Sequence, residues 1–357
     1  LHNGLVRFST AAALAGINSE GVDPSRTPSS TVKVFAVPHT TPSPPTEAQV
    51  FLATSTKENF MKKLTLTALA LVALVAVPAS AADWSDTYLG YRNGSKFQEP
   101  GYESAIKKDI FSLSHVSGNS LGSNFFNVDM LKSDLKDPAN TSSPGTSNGA
   151  QEVYVAYRNN LSLSKLFSTK MSGSVLRDVE WTTGFDYNSK NTTFAPSVFK
   201  VMTGPTLAFQ VPGFFTVGIL YYNEKNHNAF GGFAKGGSIN VSFDATYQVA
   251  AAWGIHVPVG DVQTTVKGFG TYTGAKGKDG STVDTKPETL VDIFWLADVS
   301  PLLGAKKGTW QIGPGYEYWN NKFGDPTYKL NSEVPQDFNH VVNPKTSCFM
   351  LALEYHF

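Results

Sequence analysis

The feature that most constrains this chain is a two-residue period that recurs along most of its length. It is cleanest in the last stretch, Ser347 to Phe357. There Phe349, Leu351, Leu353, Tyr355 and Phe357 fall on one side of an extended strand, and Met350, Ala352, Glu354 and His356 on the other. Successive strand side chains point to opposite faces, so the pattern predicts a β-strand with one apolar face. An ordinary sandwich strand fits that pattern. A transmembrane barrel fits it more closely, because its last strand must close on its first while one side faces lipid.

The same alternation recurs upstream between clusters of Gly, Asn, Asp, Ser and Pro. Strands are predicted over Trp84 to Arg92, Ile110 to Val116, Asn124 to Ser133, Glu152 to Arg158 and Val179 to Tyr187. Further strands are predicted over Val198 to Phe209 (interrupted at Pro205), Phe215 to Glu224, Ile239 to Val249, Val262 to Thr273, Thr289 to Val299 and Thr309 to Trp319. With the terminal stretch this makes an all-β, transmembrane antiparallel β-barrel of about twelve strands, with ten or fourteen as competing counts. Trp84, Trp181, Tyr187, Tyr221, Tyr247, Trp295, Tyr318 and Tyr355 lie near strand ends, as an aromatic girdle at two membrane interfaces requires.

Composition agrees with a membrane barrel. Charged residues are 16% and aromatics 12% of the 357 residues. The formal net charge is zero with no dense basic patch, so a nucleic-acid partner is not expected. The lone Cys348 excludes an intrachain disulfide framework. Met61-Lys62-Lys63, the apolar run Leu64 to Val77 and Pro78-Ala79-Ser80-Ala81 read as a secretory signal peptide cleaved after Ala81. A mature chain of residues 82–357 follows. Residues 1–60 then have no evident role, and Lys57-Glu58-Asn59-Phe60 is readable as a purine-rich ribosome-binding sequence before the start codon of Met61. The segment is expected to be translated upstream DNA or a disordered extension.

If the apolar faces meet lipid, the opposite faces line a lumen. Its candidates for contact with a solute are Glu152, Tyr154, Arg158, Glu180, Asp186, Tyr222, Asp244, Asp292, Phe294, Glu317 and Trp319, with Asp129, Glu354 and Lys267 in similar positions. Such charges are costly beside lipid and acceptable beside water or each other. Carboxylates and rings together suit a small neutral polar solute with an aromatic part. Equally, the acids and bases serve to brace the barrel wall.

Here the sequence resembles a known family, the nucleoside-specific channel-forming outer-membrane proteins of the Tsx and OmpK-like group. The resemblance spans most of Trp84 to Phe357. It is carried by WSDTYLGYR (Trp84 to Arg92), KDIFSLSHVSG (Lys108 to Gly118) and SNFFNVDMLKSD (Ser123 to Asp134). AQEVYVAYR (Ala150 to Arg158), GPGYEYWNNKFG (Gly313 to Gly324) and the terminal LALEYHF add to it. Gly90 departs from the family pattern, which has an acid there. The resemblance implies a monomeric twelve-stranded barrel in the bacterial outer membrane, passive nucleoside uptake and a receptor role for phages or colicins in some members. Outer-membrane proteins generally add membrane lipid, lipopolysaccharide and the assembly machinery as partners. The apolar row Phe349, Leu351, Leu353, Tyr355 and Phe357 is the expected assembly signal.

General diffusion pores and structural or receptor barrels share these strand patterns. An outer-membrane lipid hydrolase needs a Ser–His pair. His115 beside Ser114 and Ser117 is its one candidate, and no Gly-x-Ser-x-Gly elbow surrounds it. No HExxH motif or dense ligand cluster is present, so neither catalysis, a metal nor a cofactor is expected.

Overall fold

The computed structural model describes residues 82–100, 104–137, 149–169, 175–191, 195–326 and 345–357. The expected leader and the upstream segment lie outside the described residues. The strands are β1 (Trp84–Phe97), β2 (Ile106–Asn119), β3 (Gly122–Ser133), β4 (Gln151–Ser162), β5 (Leu176–Lys190), β6 (Ser197–Phe209) and β7 (Gly213–His227). They continue as β8 (Asn240–Ser242), β9 (Thr246–His256), β10 (Thr264–Thr273), β11 (Glu288–Asp298), β12 (Trp310–Asn320) and β13 (Thr346–His356). Every pairing between them is antiparallel. β13 closes on β1, with Leu89 opposite Tyr355 and Arg92 opposite Ala352. The result is a closed barrel of twelve strands with β8 as a short addition. Closure leaves no open edge, which a sheet in hydrocarbon requires.

The distribution of side chains is inverted relative to a water-soluble domain. The ladder puts Leu89, Phe111, Trp181, Ile219, Trp295, Phe349 and Leu351 on the outer face, and all are exposed; Phe349 is 76% and Ile219 63% exposed. The buried side carries Lys108, Glu180, Asp186, Lys200, Glu224 and Asp292. An apolar belt of this extent is untenable in water and matches lipid, while the charges pair inside. The strands of 10 to 15 residues are long enough to cross a tilted hydrocarbon path. Seven of the eight aromatic residues of the expected girdle occupy outer-face positions in the ladder; Trp84 is the exception, since it pairs with Gly118 in step with the inner-face residues Tyr88 and Arg92.

The two ends of the barrel differ. At one end two of the connections are tight turns. Asn119 Oδ1 accepts from the backbone N–H groups of Leu121 and Gly122 to turn β2 into β3. Gly213, at φ 111°, turns β6 into β7, a conformation that favours glycine. A single helical turn, α1 (Leu163–Leu166), capped by Ser162, follows β4 directly. Trp84 and Phe357 lie at this same end. Among the described residues, the connections 228–245 and 274–287 lie at the other end, while the β11–β12 connection 299–309 shares the end of the short turns.

Two strands depart from the sequence expectation. β6 runs unbroken through Pro205, because the ladder to β7 lapses between Thr203 and Thr206, where the missing proline N–H is not needed. The strand expected over Ile239 to Val249 is split. Tyr222 pairs with Thr246 but Lys225 pairs with Ser242, so two β7 residues oppose three in the other strand. That one-residue bulge reverses which side chains face inward.

Candidate functional site

The lumen wall is built where inner-face positions of separate strands meet, and it falls into three tiers. At mid-height Arg92 of β1 holds two acids at once. Its Nη2 donates to Asp129 Oδ2 of β3 at 2.5 Å and its Nη1 to Asp292 Oδ2 of β11 at 3.3 Å. Those acids lie on opposite sides of β1, with β2 between on one side and β13 and β12 on the other, so the guanidinium bars part of the lumen. Asp129 Oδ1 also accepts from the Ser112 hydroxyl at 2.8 Å and from Asn127 Nδ2 at 3.0 Å. The Phe294 ring centroid is 5.7 Å from Arg92 Cζ. Glu317 stands directly opposite Asp292 in the β11–β12 ladder, and Phe269 opposite it in the β10–β11 ladder. On the facing wall Arg158 donates to Asp186 at 2.7 Å, as does the Tyr154 hydroxyl.

Towards the long-loop end the charges are packed more tightly. Glu99 accepts from Lys108 at 2.6 Å and from Lys322 at 3.2 Å, with Lys190 at 3.4 Å. Burial alone would raise the Glu99 carboxyl, but Lys108, Lys190 and Lys322 together hold it well below the usual carboxylate range. Glu152 shares Lys108 and Lys190 and accepts from Asn188. Lys276, from the β10–β11 connection, reaches inward and donates to Glu224, which also accepts from the Tyr222 hydroxyl at 2.6 Å. Glu224 is fully buried and Lys276 nearly so. Trp319 Nε1 donates to Glu288. Beside Lys276, burial and neighbouring Asp279 push the Asp325 carboxyl up to about 7.

The short-turn end carries a third group. Lys267 of β10 donates to Glu354 of β13 at 2.5 Å, and His356 lies 2.9 Å from Asp86 and 3.3 Å from Glu354. Tyr88 stacks on His356 with ring centroids 4.8 Å apart, and Lys267 sits over the Tyr88 ring. These contacts tie β1 to β13 inside the wall, in addition to their backbone ladder.

Ladder positions put Glu152, Tyr154, Arg158, Glu180, Asp186, Tyr222, Asp292, Phe294, Glu317 and Trp319 on the inner face. Asp244 is not among them. It lies in the bulge between β8 and β9 and is exposed, with its N–H donating to the Lys276 carbonyl. Arg92, Lys108, Lys190, Lys200 and Glu224, all inner-face residues, were not singled out from sequence. Most sit at strand ends, where alternation is shortest and hardest to read. Phe269 was missed because its two neighbouring glycines weaken the β10 pattern. His115 and Ser114 point to opposite faces: His115 Nδ1 is 2.8 Å from Thr87 Oγ1, and Ser114 donates to Asn127 in the lumen. Ser114 is therefore not brought to His115, whereas Ser117 shares the His115 face of β2. Among the described residues no group of three or more His, Cys, Asp or Glu has the arrangement of a metal site.

No protein-family model matches the chain, and no curated protein matches it. Among solved structures it is similar to the translocator domain of the autotransporter NalP from Neisseria meningitidis, at 14% identity and a TM-score of 0.37, covering 83% of this chain and 98% of that one. It is similar to an outer membrane channel from Pseudomonas putida F1, at 11% identity and a TM-score of 0.37, covering 78% and 98%. It is also similar to OccK5 (OpdH) of Pseudomonas aeruginosa, at 9% identity and a TM-score of 0.23, covering 78% and 99%. The functional reading rests instead on the lumen wall itself.

Proposed function

We propose that this barrel is an outer-membrane channel for passive uptake of small polar solutes, with nucleosides as the class its wall fits. The observation that carries this reading is the mid-height grouping of Phe294 and Phe269 beside Asp292, Glu317 and Arg92. Phe269 is 39% exposed on the inner face, so a ring surface is open to a passing solute. Stacking on such a ring stabilises a bound base by about 1–3 kcal/mol without reading its sequence. Neighbouring carboxylates accept N–H and O–H donors, and Arg92 donates to carbonyls. Because most wall charges are already paired, a neutral solute displaces no ion pair on its way through. The sequence resemblance to nucleoside channels supports the same class.

Purified protein in a planar bilayer tests the reading. Small pores are expected, with current partly blocked by adenosine or thymidine and less by a sugar of similar size. Glu317→Ala and Asp292→Ala should each alter that block. Current indifferent to every nucleoside would replace the reading with a general diffusion pore. Absence of current would leave a structural or receptor barrel. Phospholipid hydrolysis lost in His115→Ala would establish the enzyme reading instead.

A further inference from the structure

We infer that the Asp292–Glu317 pair is a binding point for one monovalent cation, which makes the barrel cation-selective. Asp292 and Glu317 face the lumen from directly opposed ladder positions of β11 and β12. Like charges opposite one another destabilise a sheet unless something neutralises them. Arg92 meets only part of that demand. Its guanidinium is shared with Asp129 at 2.5 Å and reaches only Oδ2 of Asp292, at 3.3 Å. Three carboxylates thus surround one guanidinium. Lys108 and Lys322, which act on Glu317 through space, are engaged by Glu99 at 2.6 and 3.2 Å.

A second observation points to a ligand. Oδ1 of Asp292 is buried without a hydrogen-bond partner, on a residue only 4% exposed. A buried carboxylate oxygen left unpaired costs more than one satisfied by a cation or a donor. Glu317 is half-buried, so the pair is open to the lumen on one side. The site sits at the height where Arg92 bars part of the passage, so ions crossing the barrel pass within its field. A low-dielectric wall concentrates that field and enriches counter-ions.

The inference depends on the channel reading for its electrical test only. In a tenfold KCl gradient across a planar bilayer, the zero-current potential should report cation permeability above chloride permeability. Glu317→Gln and the double variant with Asp292→Asn should each lower that ratio by about twofold or more. Glu180→Gln, at a lumen acid nearer the short-turn end, should change it less. Each variant is first checked for the folded gel mobility of the parent, and Glu317→Gln is the milder change because Glu317 is not fully buried. A conducting but unselective barrel, or a selectivity unchanged in both variants, overturns the site. Crystals soaked in thallium(I) test the site without any current. Anomalous density between Asp292 and Glu317 supports it, and its absence there overturns it. A barrel with no current would overturn the channel reading, and the thallium result would then decide the site alone.

Discussion

Arg92 is the residue on which the mid-lumen depends. It is the shared cation of two acids on strands that are far apart in the sheet, and both acids are mostly withdrawn from water. Removing it leaves two buried charges without their partner, which costs about 3–5 kcal/mol. Arg92→Leu is therefore expected to lower the urea midpoint of the detergent-solubilised barrel strongly. Arg92→Lys should fall between, because an ammonium lacks the planar fork that serves two carboxylates. An unchanged midpoint for Arg92→Leu would show that Asp129 and Asp292 are held by other groups. Gly315 plays a smaller part of the same kind. A Cβ there would meet the Phe294 ring at 2.4 Å, so Gly315→Val should displace the ring from beside Arg92. The alternation of Thr289 to Trp319 made Asp292, Phe294 and Glu317 legible as inner-face residues. Arg92 was harder to see, because its strand was expected to end there and instead runs on to Phe97. Nothing in a single sequence marks a partner two hundred positions away.

At the scale of elements, two connections reach into the barrel from the long-loop end. Lys276 on the β10–β11 connection binds Glu224, and Lys322 after β12 binds Glu99. Each also lies over a ring, Phe243 for Lys276 and Trp319 for Lys322. A lysine drawn into a wall acid in this way pins its connection over the mouth. Lys276→Met keeps much of the stem but frees the connection from Glu224, so single-pore conductance should rise, and Glu224→Gln should do the same. Conductance equal to the parent in both would mean that the connection is held by its backbone contacts alone. The same end should respond to pH through Asp325, which faces Asp279, Lys276, Glu288 and Glu224. Its carboxyl titrates near 7 when folded and near 4 when unfolded, so the folded form keeps a proton that the unfolded chain loses between those values. Stability of the mouth thus falls as pH rises from about 4 to about 7, and the full cost persists above that. Conductance should be higher at pH 8 than at pH 5, and Asp325→Asn should flatten the difference. These contacts were not legible from sequence, because the connections carry no period. Asp244 shows the complementary failure. Its alternation with Thr246 and Gln248 was real, but the bulge between Ser242 and Thr246 reversed the faces, and a strict two-residue count has no sign of an inserted residue.

For the molecule as a whole, the barrel was legible because two solvents press on every strand. Lipid selects the outer row and paired charge selects the inner one, so both faces leave a mark in the sequence at the same period. The terminal strand carries that mark through Tyr355, and it closes the barrel by pairing with β1 from Tyr88 to Gly94. A closed ladder has no edge from which to fray, so unboiled protein should migrate differently from boiled protein in an SDS gel, with circular dichroism dominated by β signal. Phe357 extends this closure beyond the last strand residue. Its N–H donates to the Thr87 carbonyl at 3.0 Å, its ring meets Tyr355 edge-on at 5.2 Å, and it remains 72% exposed on the outer side. Deleting it removes one hydrogen bond of the β1–β13 seam and a large apolar group from the rim. The folded barrel has many other seam bonds, so its final stability should change by only about 1 kcal/mol for the lost bond. Insertion is a different matter if, as we propose, an assembly machinery reads the last strand, because it would meet this exposed row before the seam exists. The deletion should therefore lower the fraction of heat-modifiable, membrane-inserted protein well below the fraction lost from total synthesis. Phe357→Leu, which keeps the backbone donor and an apolar side chain, should restore part of it. Equal insertion of parent and deletion would show that Phe357 fills lipid-facing space and carries no signal. A loss that Phe357→Ala leaves fully repaired would assign the effect to the backbone bond with Thr87.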